Sequence, residues 1–335
     1  MKLLIAFTLL VFMIAPVFAR AAGTLADSTA VVARAHELTP YISQNSPGPL
    51  WAAFDINMRK AMEDSVSFAH TLDAIHVTVG AVQKVISENV AQEQGVWVYK
   101  ATCLFEKVTD PALLLLALDP DGKIAGLAVR PIPKEFASTK LDYITKTPLQ
   151  LPFQGEWYVF WGGRTLKQHY HAVSRAQRFA YDLIIMKNGA SHTGDGNKLT
   201  DYYSFGADVI APAAGTIVWS CDSLPNNEIG QTDTKHPVGN GVVIDHGNGE
   251  FSLIAHLQPK SQHFKTGDKV KAGDLLGKCG NSGNTTEPHV HYHLQDGPDI
   301  TTAEGLPVTF TGICVDGKKV EKAEPVKGQS IKRCP

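Results

Sequence analysis

The sequence predicts an α+β chain built in two parts, a small α+β domain followed by a β-rich one. Three observations lead there. Between residues 51 and 89 the apolar positions Phe54, Met58, Met62, Val66, Leu72, Ile75, Val79, Val82 and Ile86 recur at helical spacing, interrupted near Gly80. Three strand-like runs follow at 96–105, 113–118 and 124–129, the last two joined by the turn Asp119-Pro120-Asp121-Gly122. Beyond the linker-like stretch 147–153 the texture changes to short β-type runs at 157–161, 181–185, 215–219, 241–245, 252–256 and 290–294, separated by glycine turns. Runs this short and regular favour a sandwich or an open barrel.

Taken in order, the N-terminus reads as a signal peptide over residues 1–21. Lys2 supplies the positive end, residues 3–18 are nearly all apolar, and Ala19-Arg20-Ala21 offers a small-x-small cleavage site. The stretch is broken by Pro16 and is shorter than the roughly 20 residues of a spanning helix. The expectation is therefore an exported chain, periplasmic or secreted, with no integral membrane segment after cleavage. Residues 22–146 form the small α+β domain; residues 24–48 read as a mixed segment ending in a Ser-Pro-Gly-Pro turn. Its order resembles cystatin-like or NTF2-like accessory domains, in shape only. His70 and His76 read as structural or solvent-facing, and no catalytic constellation is visible in this half. Residues 147–335 form the β-rich domain.

Composition excludes several classes. Of 335 residues, 44% are hydrophobic and 19% charged, enough for sizeable cores and unlike a disordered chain. The net charge is -2, with no basic excess or patch of the kind a nucleic-acid binder carries. An exported chain meets an oxidising compartment, so disulfides are expected, but five cysteines leave at least one unpaired. The preferred pairing is Cys221 with Cys279 and Cys314 with Cys334, with Cys103 as a buried thiol. The absence of any CxxC pair argues against cysteine-ligated zinc and thioredoxin-type chemistry.

Ten of the 13 histidines fall between residues 169 and 293. The sharpest cluster is Pro288-His289-Val290-His291-Tyr292-His293. On a strand His289 and His291 share a face, roughly 6–7 Å apart. One imidazole can then ligate a metal while its neighbour reaches a water or substrate. His-x-His alone is common, so the rest of the chain decides its meaning. Asp182 lies in an apolar run where a carboxylate is costly unless paired or metal-bound; a turn cap or an ion pair with Arg178 is the ordinary alternative. His171 and His169 precede it, and His256 closes the apolar run 251–257. Two histidines and a carboxylate are the ligand types of catalytic zinc, which keeps a fourth position for water.

These residues sit in ordered motifs: ADVIAPAAGTIV at 207–218, GVVIDHGNGEFSLIAHL at 241–257, GDKVKAGDLLG at 267–277, GNSG at 280–283 and PHVH at 288–291. Together, over about residues 155–296, they strongly resemble the lysostaphin/LytM-type zinc metallopeptidases. The resemblance implies a β-rich fold of the duplicated-hybrid-motif type with an open groove. It also implies zinc-dependent cleavage of peptide stems or cross-links in bacterial peptidoglycan by attack of zinc-bound water. Asp182 and His291 resemble the family's zinc ligands, and His256 and His289 its two non-ligand histidines, which handle the water's proton and steady the oxyanion. The first zinc histidine usually stands four residues before the aspartate, where this chain has Arg178. In relatives with a longer insertion it lies upstream of a QRFAYD string, intact here at 177–182, so His171 is assigned, with His169 as the substitute. His293 departs from the family's usual residue and reads as an ordinary surface histidine, a place behind His291 being the alternative. Some members of the family have lost ligands and regulate other wall enzymes. A non-catalytic module that binds cell wall or activates another hydrolase is therefore the competing reading, with wall-associated proteins as partners; a peptidase of secreted proteins is a third.

Overall fold

The computed structural model describes residues 25, 27–93 and 95–334; the expected signal peptide lies outside the described residues. The chain divides into two units, Met1–Ile132 and Pro133–Pro335.

In the first unit, side-chain caps set the helix boundaries. Helix α1 (Ser28–Ser43) starts at Asp27, whose carboxylate accepts from the Ala30 amide at 2.9 Å. It buries Val31, Ala35, Leu38 and Ile42, so the stretch read as a mixed segment is largely a helix. The spacing over 51–89 predicts one interrupted helix, whereas the structure has α2 (Pro47–Ala53), α3 (Ile56–Ala61) and α4 (Ser65–Val79). Asp55 and Asp64 each take first-turn amides and so begin a new helix in the middle of the pattern. Gly80, at φ 74°, ends α4. Val82 and Ile86 therefore leave the predicted helix for strand β1 (Val82–Glu93), where β-branched residues sit easily. Strands β2 (Val96–Phe105), β3 (Ala112–Leu118) and β4 (Ile124–Pro131) complete an antiparallel sheet in the order β1-β2-β3-β4. Leu114, Leu116 and Leu118 share a core with Phe54, Phe68 and Leu72. The unit is α+β, and Cys103 is a buried thiol in its core.

The second unit begins earlier than the sequence suggests, at 132/133 rather than 146/147. The reason is polar: Glu135 pairs with buried Arg178 at 3.0 Å, and Ser138 donates to Glu304 at 2.7 Å. Residues 147–153, expected to be a linker, run through the core. Leu149, Leu151 and Phe153 are fully buried, with Leu149 bridged to Phe310 and Phe153 to Val209. Leu149, Leu151 and Phe153 recur at every second position, as on the inward face of an extended chain.

Beyond it come β5 (Glu156–Trp161), β6 (Tyr181–Ile184), β7 (Asp208–Ile210), β8 (Gly215–Cys221), β9 (Asn240–Asp245), β10 (Phe251–Leu257), β11 (Lys269–Val270), β12 (Leu275–Lys278), β13 (Val290–Gln295), β14 (Gly305–Leu306), β15 (Phe310–Val315), β16 (Lys318–Ala323) and β17 (Ser330–Arg333). All six expected runs are strands. Among the described residues, eleven strands form one sheet, ordered β11-β8-β9-β10-β13-β6-β5-β17-β15-β16, with β14 on β13. The ribbon β12-β7 contributes Val209 and Leu276 to the same core as Trp157, Ile244, Tyr292 and Phe310.

The C-terminal strands β15–β17 were not anticipated. They extend the sheet past β5 and bring Cys314 and Cys334 to a Cα–Cα separation of 5.2 Å, as the preferred pairing requires. The other expected pair does not form: the Cys221 thiol points at Asn240 Oδ1, and Cys279 is a separate buried thiol. Cys221 lies at the end of β8 opposite Gly241, whereas Cys279 bridges Leu257 across a different edge.

Glu250 ties the early segment to the sheet. Its fully buried carboxylate accepts from Tyr143 Oη at 2.9 Å, from the Lys146 and Thr147 amides at 2.6 and 2.7 Å, and from the Thr147 hydroxyl. Burial alone would raise its pKa, but these donors outweigh it and hold the carboxyl below its ordinary value. A lowered folded pKa means that this stabilisation is complete above the unfolded value and is lost as pH falls through the folded one. Glu250→Ala is expected to cost about 2–4 kcal/mol. Thermal unfolding followed by near-UV circular dichroism at pH 7 and at pH 4 checks it: the gap between variant and wild type should narrow at the lower pH.

Candidate metal centre

Strands β6 and β13 pair with Asp182 opposite His291. On β13, Val290, Tyr292 and Leu294 enter the core, which leaves His291, His293 and Gln295 together on the other face, all buried. Asp182 likewise alternates with core residues Tyr181 and Leu183. A short 3-10 turn, Tyr170–Val173, delivers His171. Its Nε2 lies 2.9 Å from Asp182 Oδ2, while His291 Nδ1 lies 2.8 Å from Asp182 Oδ1. One ligand atom from each of His171, Asp182 and His291 falls within 4.8 Å of the others. Two imidazoles and a carboxylate converging in a buried site fit a zinc ion with a position left for water.

His256 and His289 face this cluster. Their rings are 4.7 Å apart, and His289 Nε2 is 3.5 Å from Asp182 Oδ1. His256 Nδ1 donates to the Ser282 carbonyl at 2.8 Å, and His289 Nδ1 to the Glu287 carbonyl at 3.0 Å. A carbonyl only accepts, so both rings carry a proton on Nδ1 and, when neutral, present an Nε2 lone pair. His256 sits at φ 65°, in the left-handed region, where the β9–β10 register shifts between Ile254 and Leu257. Strain of this kind in a non-glycine residue persists only where the surroundings enforce it. Gly239 is part of the enforcement. A Cβ there would lie 2.2 Å from the Ser282 oxygen that holds His256.

The electrostatics follow from burial set against these neighbours. Burial would raise the Asp182 pKa, but His171 and His289 outweigh it and keep the carboxylate well below its usual range. Burial, then the nearby His289 and His291, holds His256 well below the ordinary imidazole value, so it is a neutral acceptor at pH 7. His291 is also lowered by burial, against the pull of Asp182. His289 is the exception, because Asp182 more than offsets burial and raises it.

Residues 197–302 match peptidase family M23. This stretch of the chain is similar to M23 peptidase domains. The match takes in His256, His289 and His291 and stops short of His171 and Asp182, which sheet pairing and the 3-10 turn bring to them. The peptidoglycan DD-endopeptidase ShyC of Vibrio cholerae is 34% identical over 89 residues, 27% of this chain and 19% of that protein. The DD-carboxypeptidase/endopeptidase Mpg of Neisseria meningitidis is 36% identical over 119 residues, 36% of this chain and 24% of that protein. The chain thus spans about a fifth to a quarter of these relatives' length. Among solved structures, the catalytic domain of lysostaphin from Staphylococcus simulans overlaps 45% of this chain and 88% of that one, at 22% identity and a TM-score of 0.27.

Around the M23 site the sequence expectations fare unevenly. His171, Asp182, His291, His256 and His289 are brought together. His169 is fully buried nearby, its ring 6.2 Å from that of His171, but it is outside the converging set; burial and the neighbouring His171 push its pKa down to about 4. Arg178 does not pair with Asp182. Its guanidinium donates to the Phe136 and Arg164 carbonyls and to Glu135. His293 is not a surface residue: it is fully buried and 3.1 Å from His291 Nε2, because the strand period puts it on the ligand face. Burial, then His291, presses its pKa down to about 3.

Tyr170 was missed. Its ring lies tilted against that of His171, with ring centres 4.0 Å apart, and with Asn284 it lines both clefts beside the cluster. Its only sequence signal is its place between His169 and His171. The cleft of 210 Å³ is apolar toward Val238, Leu253 and Ile300; the cleft of 230 Å³ is walled by Phe160 and Trp161 and carries Glu287. An extended chain laid across the cluster would occupy both.

Gly239→Ala is expected to displace the Ser282 carbonyl, cost about 1–3 kcal/mol, and lower by about 10²-fold any peptide hydrolysis that depends on His256. Thermal unfolding and single-turnover assays on the same preparation check it. Loss of stability with an unchanged rate would detach Gly239 from the site.

Proposed function

We propose that this chain is an exported zinc metalloendopeptidase that hydrolyses peptide bonds in the stems or cross-links of bacterial peptidoglycan. One observation carries the reading: within and beside an M23 match, three ligand-type side chains converge on one buried point, with two histidines held at Nδ1 and turning Nε2 toward it. The likeness to the peptidoglycan DD-endopeptidase ShyC and the DD-carboxypeptidase/endopeptidase Mpg supports the substrate class. His171, Asp182 and His291 would hold the ion, whose chemistry is Lewis-acid activation of water and of the scissile carbonyl.

The chain's own residues do the rest. His256 and His289 present Nε2 lone pairs to the attacking water, one accepting its proton and returning it to the leaving amine. The Nδ1–H bonds to Ser282 and Glu287 keep both rings aimed throughout. The two clefts bind the peptide on either side of the bond cut. No serine or cysteine nucleophile is required, and no acyl-enzyme forms. Export places the chain where a Cys314–Cys334 disulfide persists. Among the described residues no helix is long and apolar enough to cross a membrane.

The test is digestion of cross-linked peptidoglycan by zinc-loaded protein, chelated protein and Asp182→Ala. Only the first should release muropeptides. Equal release in all three would sink the zinc mechanism, whereas tight wall binding without release would favour a non-catalytic module. His256→Ala and His289→Ala should retain zinc and lose about 10²–10⁴ in rate.

A further inference from the structure

Three buried side chains on one face of β13 form a hydrogen-bonded row that leads away from the candidate centre. His291 Nε2 lies 3.1 Å from His293 Nδ1, His293 Nε2 lies 2.8 Å from Gln295 Oε1, and Gln295 Nε2 donates to the Gly297 carbonyl at 2.7 Å. His291, His293 and Gln295 are all buried. None of the three contacts involves a charged group beyond the centre itself.

The row has one direction, and its far end sets it. The Gly297 carbonyl can only accept, so it fixes the Gln295 amide with its NH2 outward and its oxygen toward His293. That oxygen also only accepts, so His293 must donate from Nε2. A neutral His293 then has its lone pair on Nδ1 and accepts from His291 Nε2–H. The remaining nitrogen, His291 Nδ1, is left with a lone pair aimed at Asp182 Oδ1, 2.8 Å away. Two acceptors at that separation repel unless a cation stands with them. Reversing the row would only move the conflict to Gln295 and Gly297, where nothing can relieve it.

We propose that His293 and Gln295 are positioning residues that fix His291 as the Nε2–H tautomer, so that its Nδ1 lone pair is committed to a metal shared with Asp182. This rests on the zinc reading of the centre. It adds two residues to that reading, one of them a histidine where the family usually has another residue. The row does two things. It holds the ring plane, and it makes the metal-free pairing of His291 with Asp182 unfavourable, which raises affinity for the ion. Hydrogen-bond partners behind a metal ligand typically matter by 10–100-fold in affinity.

The experiment uses the full chain with 15N-labelled histidine, zinc-loaded and chelated, at pH 8. Long-range 15N–1H spectra should show His291 and His293 both protonated on Nε2. A through-hydrogen-bond 15N–15N coupling should join His291 Nε2 to His293 Nδ1. In chelator competition, His293→Phe, which keeps a ring but offers no acceptor, should weaken zinc binding by about 10–100-fold. His293→Asn, which restores an acceptor near the Nδ1 position, should recover most of it. Gln295→Leu should release His293 to adopt the other tautomer.

Protonation of His293 on Nδ1, or absence of the coupling in the wild type, would overturn the row without any variant having to fold. Wild-type zinc affinity in a folded His293→Phe would overturn its effect on the metal. If the wild type takes up no zinc, the metallopeptidase reading fails instead. The coupling, read in the metal-free protein, then still decides whether the row exists.

Discussion

A carboxylate buried in a β-sheet is the constraint around which the second unit is arranged. Asp182 sits on β6 between two core residues, where an unpaired charge would cost several kcal/mol. The guanidinium of Arg178, four residues before it, is engaged by the segment 135–136 and by Arg164. What compensates Asp182 is a ring of imidazoles, none of them carrying a fixed positive charge. A neutral imidazole carries one donor and one lone pair, and with the donors of His289 and His291 turned outward their lone pairs face the carboxylate whenever the rings are neutral. Such a set is balanced by a cation, and geometry and chemistry therefore point to the same content for the site.

The arrangement depends on strand register. Asp182 is opposite His291 because β6 and β13 pair at that residue, and a slip of one position would exchange His291 and His293 for Val290 and Tyr292. The alternation that defines β13 thus fixes the core and the site at once. The rigid contributions come from β6 and β13. His171 and His256 come from a 3-10 turn and from a strained strand end, each held by close neighbours rather than by ladder hydrogen bonds. The site combines a sheet floor, which sets spacing, with two enforced irregularities, which set direction.

Much of this was legible in the sequence, for identifiable reasons. The strands of the second unit could be read because alternation and glycine turns are local signals, and His291 and Asp182 because polar residues in apolar strands stand out. His171 was legible only through its resemblance to relatives with a longer insertion, since nothing local marks a 3-10 turn as a ligand carrier. Other features depended on distant partners. Residues 133–146 join the second unit through Arg178, Glu304 and Glu250, each far away in sequence. Residues 147–153 looked like a linker because Pro148 and Pro152 mask an alternation that only the core reveals. In the first unit, Asp55 and Asp64 divided one periodic pattern into separate helices, because a cap overrides a continuing hydrophobic stripe. His293 was misplaced for the opposite reason: its period was read correctly, but exposure was assigned by residue type.

The histidines of the site separate into two kinds by which ring nitrogen is tied. His256 and His289 are tied at Nδ1 to backbone carbonyls, which leaves the distal Nε2 projecting into the clefts. His291 is tied at Nε2 to a neighbouring side chain, which leaves Nδ1, the nitrogen closer to its own backbone, facing Asp182. A group that must reach a moving water and a leaving amine needs the long lever of Nε2. Nδ1 is not the only nitrogen that faces the carboxylate, because His171, carried by the 3-10 turn, turns its Nε2 to Asp182. In both kinds the outer acceptor decides which nitrogen faces the site. The division of labour among chemically identical side chains is therefore written in their outer hydrogen bonds, not in their identity.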